Sequence, residues 1–507
     1  MMAQGVLPYQ YEEASRATGM TALAGIPVYL DLLYALAFGA SVSRWLTVRK
    51  ESQGWTDLEV VVSLVLLNLA GGDCVDDLRT LEGDEGFCKV LDMAKLAGMG
   101  RQERRALKRR WRKEKRRTVP SPSSAFRYLE AFHDPSQETL RQVGRAFIPR
   151  PNAHLLGLRM VNRDWIAGIQ RRSPQSFATL DMDATLCKTY KESALYGYKG
   201  DVCYQPLNVY WAEQEVVLHT EFRDGNVPAG YEQTRVLEEA LAALPEGVET
   251  VRVRTDTQGY EHSFLRYMEL AKNGRFGRIE FAVGSDVTAE FKKAVAQIPE
   301  SAWTCLLREV GGRKIPTGQE WAEVCFAPNA MGYTKKGNYR YLAIRERLYQ
   351  PQLPGMETQQ LLPFPTMTMG GCGYKLFGLV TNMDWEGGEL VWWHRQRCGK
   401  SEEAHSVMKT DLAGGQFPSG LFGVNAAWWW IMILAFNVNV AMKRLVLGGS
   451  WATKRMKAIR YALVHIPGQV IHKARQWWIR LAVGHPALDL LVGARRQILG
   501  WMCPSPG

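Results

Sequence analysis

The sequence predicts an α/β protein in which a mixed sheet, covered by helices on both faces, follows a helical amino-terminal region. Three observations carry this. The first hundred residues place apolar side chains at helical spacing. From Ser176 the period changes to two-residue alternation. Beyond that point the elements run strand, strand, strand, helix, strand, helix, strand, helix.

Taken in order, "LPYQYEEASRATGM", "PVYLDLLYALAFGASVSRWL" and "WTDLEVVVSLVLLNLAGG" read as helices, the last stopping at Gly72. The run Arg101 to Arg117, "RQERRALKRRWRKEKRR", is overwhelmingly basic, and Arg109, Arg110, Arg112 and Lys113 are its candidate DNA contacts. "TVPSPSSAFRYLEAF" follows, with Ser ahead of a short amphipathic helix, as in a capped helix of a small DNA-binding unit. "TLDMDAT" then puts Asp181, Asp183 and Thr185 on one face of a strand. Val202 to Trp211 and Glu215 to Phe222 read as a hairpin. "GYEQTRVLEEALAAL" is a helix, "VETVRVRTD" a strand running into Asp256, and Tyr260 to Ala271 a helix. "RIEFAVGSD" and "AEFKKAVAQI" add a strand and a helix. This order is that of the ribonuclease-H-like fold, in which acidic residues at the ends of neighbouring strands, about 4.8 Å apart, can meet.

That fold still lacks its last helix at Ile298. "WTCLLREVG", "WAEVCFAPN", "YRYLAIRERL" and "YKLFGLVTNMD" read as a β-rich insertion, and the missing helix is expected to begin near Lys400. The expected organisation is a helical, basic, DNA-end-binding region over 1–172, a catalytic domain over 173–298 and 393–446, the insertion over 299–392, and a basic helical tail over 447–507.

With 507 residues, 46% of them hydrophobic, the chain can bury several cores, and its net charge of +12 favours polyanions, nucleic acid first. Nine scattered cysteines without a C-x-x-C pair exclude a zinc ribbon and a disulfide framework. "MMAQGVLPYQYEEASR" has no secretory pattern, so a cytoplasmic, nucleoid-associated protein is expected. "AGIPVYLDLLYALAFGASV" and "NAAWWWIMILAFNVNVAMK" are interrupted by Asp31 and by Asn437 and Asn439; they read as buried helices and not as membrane spans.

The segment "HRQRCGKSEEAHSVMK" ends a phosphate-loop motif at GKS, but His394 stands where that loop needs its first glycine. Its carboxylates are the better lead. On a helix, Glu402 and Lys409 lie two turns apart, about 10 Å along one face that also carries His405, and Glu403 points about 100° away. Asp183, Asp256 and Glu402 are three hard oxygen donors, with Asp181 the alternative first aspartate. Such a set suits Mg²⁺ or Mn²⁺, two ions about 3.5 to 4 Å apart for in-line displacement at phosphorus.

The ordered Asp, Asp, Glu with a β-rich insertion before the Glu resembles the DDE transposases of bacterial insertion sequences. The run "WHRQRCGKSEEAHSVMKTDLAGGQFPSGLFGVNAAWWWIMILAFNVN" resembles their Tyr-x₂-Arg-x₃-Glu-x₆-Lys signature and, with "TLDMDAT", "GYKGDVCYQPLNVY" and "VRVRTDTQGY", is similar to insertion-sequence family 1380. His394 replaces the signature tyrosine, and four residues instead of three separate Arg397 from Glu402. The resemblance favours Asp183 over Asp181, because the family aspartate commonly precedes a small residue and Thr. It implies Asp183, Asp256 and Glu402 as metal ligands, Arg397 and Lys409 as contacts to DNA phosphate, and cut-and-paste transposition by a chain acting at least as a homodimer on double-stranded DNA, both inverted repeats and target. A non-catalytic DNA-binding relative, or a nuclease without strand transfer, is the alternative.

Overall fold

The computed structural model describes residues 18–49, 54–97, 99–113, 117–142, 144–326, 339–348, 364–474 and 476–502. At its centre lies a ten-stranded mixed sheet. Its first five strands are β1 (Phe177–Ala184), β2 (Leu207–Trp211), β3 (Val216–Glu221), β4 (Thr250–Thr255) and β5 (Glu280–Ser285). In space they run β3-β2-β1-β4-β5. β1 pairs with β4, and β4 with β5, in parallel; β1 with β2 and β2 with β3 are antiparallel. The antiparallel joint β2–β3 is a tight turn, whereas the parallel ones require crossovers. Helices Gln233–Ala243 and His262–Glu269 supply them.

The expected strand over Val202 to Trp211 is in fact two pieces, broken at Gln205 and Pro206. Pro206 has no N–H to give to a ladder. Val202–Tyr204 instead joins Cys187–Lys188 and Leu195–Tyr196 in a separate three-stranded sheet.

The β-rich segment after Ile298 extends the main sheet. Strands β6 (Thr304–Val310), β7 (Arg313–Val324), β8 (Arg340–Arg347), β9 (Thr366–Met369) and β10 (Cys372–Thr381) are antiparallel neighbours, and β10 docks on β5 from Gly378 opposite Ser285 to Thr381 opposite Ala282. A side chain at Gly378 would put its Cβ 2.1 Å from Ser285 Oγ, so the join needs glycine there.

In the amino-terminal region, helix Asp57–Ala70 starts at a Thr56–Glu59 capping box and ends at Gly71, φ 93°. The single helix expected over 27–46 is two, Ile26–Ala35 and Phe38–Trp45, bent by 65° where Ala37 takes φ 57°. "LPYQYEEASRATGM" lies almost wholly outside the described residues. The basic run forms helix Arg101–Lys113, with Arg101, Arg104, Arg105, Lys108 and Arg109 exposed; the side chains of Arg110, Arg112 and Lys113 lie outside the described residues. Helix Pro122–Glu130 is capped by Ser121 and buries Ala125, Tyr128 and Leu129.

Helix Phe422–Ala441 joins these regions. With the turn that continues it to Leu447 it is long and apolar enough to cross a membrane, yet every residue from Phe422 to Ala441 is buried inside the protein. Its asparagines find partners, as buried polar groups must. Asn437 donates to Asn162 Oδ1 at 2.7 Å and accepts from Val217 N at 2.9 Å, and Asn439 accepts from the Tyr29 hydroxyl at 2.9 Å. The helix packs on helices Asp57–Ala70 and Ala153–Arg172 and on β3.

The carboxyl-terminal segment is not the helical tail expected over 447–507. Helical turns run over Met456–Ile459 and Arg460–Val464, but Gly468–Lys473 and Gln476–Arg480 then form a hairpin paired to Met20–Thr21 before helix Ala487–Gly500. The β-branched and aromatic residues of "QVIHK" and "QWWIR" suit a strand. The segment wraps back on the first helices: Arg460 donates to the Asn68 and Leu69 carbonyls, and Arg495 pairs with Asp31 at 2.8 Å.

Candidate active site

The register of two parallel strands sets the site. Leu180 lies beside Val253, Asp181 beside Arg254 and Met182 beside Thr255. One further step in each chain brings Asp183 at the end of β1 alongside Asp256, just past the end of β4. Asp256 also caps the short turn Thr257–Gly259, accepting from Gln258 N at 3.0 Å. Burial first, and then the charge of Asp183, push the Asp256 carboxyl above the ordinary carboxylate range, while Arg397 opposes them.

Asp181, on the same face two residues earlier, has a different environment. It is fully buried and held by Arg254 through Nε at 2.6 Å and Nη2 at 2.9 Å. Arg254 is fixed in turn by Nη1 on the Trp393 carbonyl at 2.5 Å and by the Trp393 ring, 4.9 Å from its guanidinium carbon. Both carboxylate oxygens of Asp181 are thereby committed.

Helix Gly387–Ser406 packs against β1, β4 and β5. It begins at Gly387, where the Glu386 carboxylate caps Glu389 N at 2.8 Å, and not near Lys400. Gly399, which suggests a boundary in the sequence, sits inside the helix; an interior glycine costs about 1 kcal/mol relative to alanine, too little to break a helix held by tertiary packing. His394 donates from Nε2 to the Thr255 carbonyl at 2.9 Å, fastening the helix to the end of β4. Burial, together with the neighbouring Arg397, Arg254 and Arg395 charges, lowers its pKa to about 4 against the pull of the Thr255 carbonyl.

Arg397, Ser401 and His405 follow at intervals of four, so they share a face. All three meet one atom, Asp183 Oδ2: Arg397 Nη1 at 3.2 Å, Ser401 Oγ at 3.3 Å and His405 Nδ1 at 3.9 Å. Burial raises the Asp183 pKa, Arg397 and Ser401 pull it back, and the Glu402 charge adds a smaller upward push. Glu402 is exposed. Glu403 acts elsewhere: burial depresses the Lys443 ammonium, and the Glu215 and Glu403 carboxylates counter it.

The continuous helix expected through Lys409 is interrupted. The α-helical turns end at Ser406, and Val407–Asp411 is a π-helical turn. The wider turn changes the register assumed between Glu402 and Lys409. Lys409 Nζ donates to the Leu186 carbonyl at 3.3 Å. Arg397, expected to touch phosphate, is buried and directed at Asp183.

Behind His405 lies a chain of hydrogen bonds with a fixed direction. An indole N–H can only donate. Trp429 Nε1 donates to Thr220 Oγ1 at 2.9 Å, whose hydroxyl donates to Asn208 Oδ1 at 2.7 Å. Asn208 Nδ2 is then left to donate to His405 Nε2 at 3.2 Å. With the Asn208 amide in this orientation, the proton of neutral His405 is on Nδ1, facing Asp183. Burial, with Lys409 and Arg397 nearby, holds the His405 pKa down to about 3, so the ring is neutral. Among the described residues, no group of three or more His, Cys, Asp or Glu side chains stands close enough to hold a metal ion.

The family model for the transposase DDE domain, group 1, matches residues 18–326 and 366–500. The chain belongs to this family. It is similar to the cryo-EM structure of the piggyBac transposase synaptic complex with hairpin DNA, at 12% identity and a TM-score of 0.41, over 97% of this chain and 85% of that one. No curated protein matches. Within this DDE-family chain the side chains that sequence reasoning missed are Ser401, Asn208, Thr220 and Trp429. Ser401 has a signal, its spacing of four from Arg397 and from His405. The others have none, because their partners are distant in the chain.

Proposed function

We propose that this chain is the cut-and-paste transposase of a bacterial insertion sequence of the 1380 kind. It hydrolyses the phosphodiester at the ends of its element and then transfers the freed 3′-hydroxyl into target DNA. The observation that carries the reading is the adjacency of Asp183 and Asp256 at the ends of two parallel strands, beneath a helix whose Glu402 charge acts on Asp183. The order β3-β2-β1-β4-β5, with β1, β4 and β5 parallel, supports a ribonuclease-H-like core.

Asp183, Asp256 and Glu402 would hold Mg²⁺ or Mn²⁺, expected as two ions. Their donor chemistry fits: all are hard carboxylate oxygens, and the nearest imidazole, His405, offers a proton and no lone pair to Asp183. As the side chains stand they are not gathered to ligand distance, and the Arg397 guanidinium provides the positive charge at Asp183. When bound, such ions polarise phosphate oxygens and activate the attacking oxygen. The chain's own residues orient the site: Arg397 and Ser401 hold the Asp183 carboxylate, His405 faces it, and His394 fixes the helix to β4. The exposed Arg101, Arg104, Arg105, Lys108 and Arg109 of the basic helix contribute phosphate contacts, which position DNA without reading its sequence. Two element ends must be held together for a paired insertion, so the active species is at least a dimer.

The test supplies inverted-repeat DNA, Mg²⁺ and a target plasmid. Joined product is expected. Cutting without joining would make the chain a nuclease of the same fold, and binding without cutting a non-catalytic relative.

A further inference from the structure

The chain leaving β1 folds into the small three-stranded sheet, and its surface has a distinctive composition. Cys187 pairs opposite Tyr204, and Tyr196 opposite Val202. Tyr190, Tyr196 and Tyr198 are 104%, 69% and 68% exposed. Single exposed aromatics are ordinary, but a cluster of them on one small element points to a partner. Lysines are interspersed with them: Lys188 and Lys199 are exposed, Lys191 is half-buried, and Lys199 Nζ lies 5.6 Å from the centre of the Tyr198 ring.

This flap is firmly rooted. The Tyr204 hydroxyl is 2.6 Å from Ser193 Oγ and accepts from Asn425 Nδ2 at 3.1 Å. A Cβ on Gly225 would stand 2.4 Å from the Leu195 carbonyl oxygen, so the chain beneath passes in direct contact. At the root, Leu186 accepts from Lys409, which ties the flap to the turn after the helix that carries Glu402. A rigid element thus holds three aromatic faces and three ammonium groups beside the end of the strand that carries Asp183.

We propose that the flap binds the unpaired DNA strand at the cleaved end, with Tyr190, Tyr196 and Tyr198 as stacking faces for unstacked bases and Lys188, Lys191 and Lys199 as phosphate contacts. The proposal rests on the transposase reading above. Interspersion of aromatic and basic side chains is the arrangement that single strands need, because any base can stack on a ring and the backbone follows the positive charge. A purely apolar partner would leave Lys191 and Lys199 without a role; Lys188 pairs with Asp201 at 2.9 Å and would exchange this exposed pair for a phosphate.

The test uses the full chain and two DNA probes of one sequence, one fully paired and one with an unpaired 3′ extension carrying 2-aminopurine. The extended probe should bind roughly tenfold more tightly, with quenched fluorescence, as expected for base–aromatic stacking. Combining Tyr190→Ala, Tyr196→Ala and Tyr198→Ala should abolish the preference and the quenching while affinity for the paired probe is unchanged. The three corresponding Tyr→Phe changes should keep both, since stacking requires the ring and not the hydroxyl, and they control for folding. Equal affinity of the native chain for the two probes, or a preference that survives the alanine changes, would overturn the flap alone. Failure to bind either probe would overturn the transposase reading with it.

Discussion

Asp181 and Asp183 stand on the same face of the same strand, yet their surroundings differ. Asp181 has one partner that satisfies both oxygens and is itself locked by Trp393. Asp183 has three incomplete partners converging on a single oxygen, all from one helix. A closed bidentate pair spends its charge on the fold. A carboxylate approached from one side keeps capacity for a further cation. The contrast favours Asp183 over Asp181 as the metal-holding aspartate of the proposed site by the geometry of the partners, which two-residue alternation cannot do.

The largest expected effect is on chemistry at the open end. Asp183→Asn should slow Mg²⁺-dependent cleavage of element ends more than about a hundredfold, the upper range for losing a residue that only supports a metal ligand. The substitution also leaves the buried Arg397 short of its counter-charge, so the urea midpoint should fall, but by less than at Asp181, because the Asp183 carboxylate is partly exposed and burial already disfavours its charge. The reverse holds at the closed end. Asp181→Asn leaves Arg254 buried without its counter-charge and should cost about 3–5 kcal/mol of unfolding free energy, with activity per folded molecule retained. Similar losses of stability from both substitutions would erase the distinction.

A smaller effect probes the chain of hydrogen bonds that orients His405. Asn208→Asp replaces the donor to Nε2 with an acceptor, so the ring proton moves to Nε2 and a lone pair turns toward Asp183. Cleavage should slow about tenfold, as for other residues that orient a ligand, and nitrogen-15 NMR of the histidines should report the change of tautomer. An unchanged rate with a changed tautomer would remove His405 from the account.

The smallest effect is on acid stability. The folded pKa of His394, about 4, lies below the ordinary imidazole value of 6.5, so the neutral ring's contribution is fully present above pH 6.5 and is lost as pH falls toward 4. His394→Gln cannot gain the proton and can still donate to Thr255. Melting temperature measured over this window should fall less steeply in the variant than in the native chain. Parallel profiles would show that the acid limb belongs to other groups.

Much of the sheet was legible because two-residue alternation is a local signal: "TLDMDAT" and "VETVRVRTD" carry Asp183 and Asp256 to strand ends with no long-range information. What could not be read depends on partners far away in sequence. Nothing within Cys372–Thr381 says that it will pair with β5 and so continue the main sheet. The last helix begins at Gly387 and not near Lys400, because His394 and Trp393 hold it to the sheet through β4, contacts that no local pattern announces. The π-helical turn at Val407–Asp411 is equally silent in the sequence. Of the candidate site, the arrival of Asp183 and Asp256 at neighbouring strand ends is legible in the alternation, whereas the preference for Asp183 over Asp181 comes from the family resemblance. The attachment of Arg397 to Asp183 is not legible, since a phosphate contact and a carboxylate pair ask for the same side chain.

The central claim is that Glu402 shares a cation with Asp183 and Asp256 while Glu403 does not. The direct test is Mn²⁺ binding to the full chain, followed by electron paramagnetic resonance, in Glu402→Gln and Glu403→Gln with cleavage of element ends measured alongside. The account predicts weakened Mn²⁺ binding and nearly abolished cleavage for Glu402→Gln, with native DNA affinity, and near-native behaviour for Glu403→Gln. Native Mn²⁺ binding and cleavage in Glu402→Gln would contradict it.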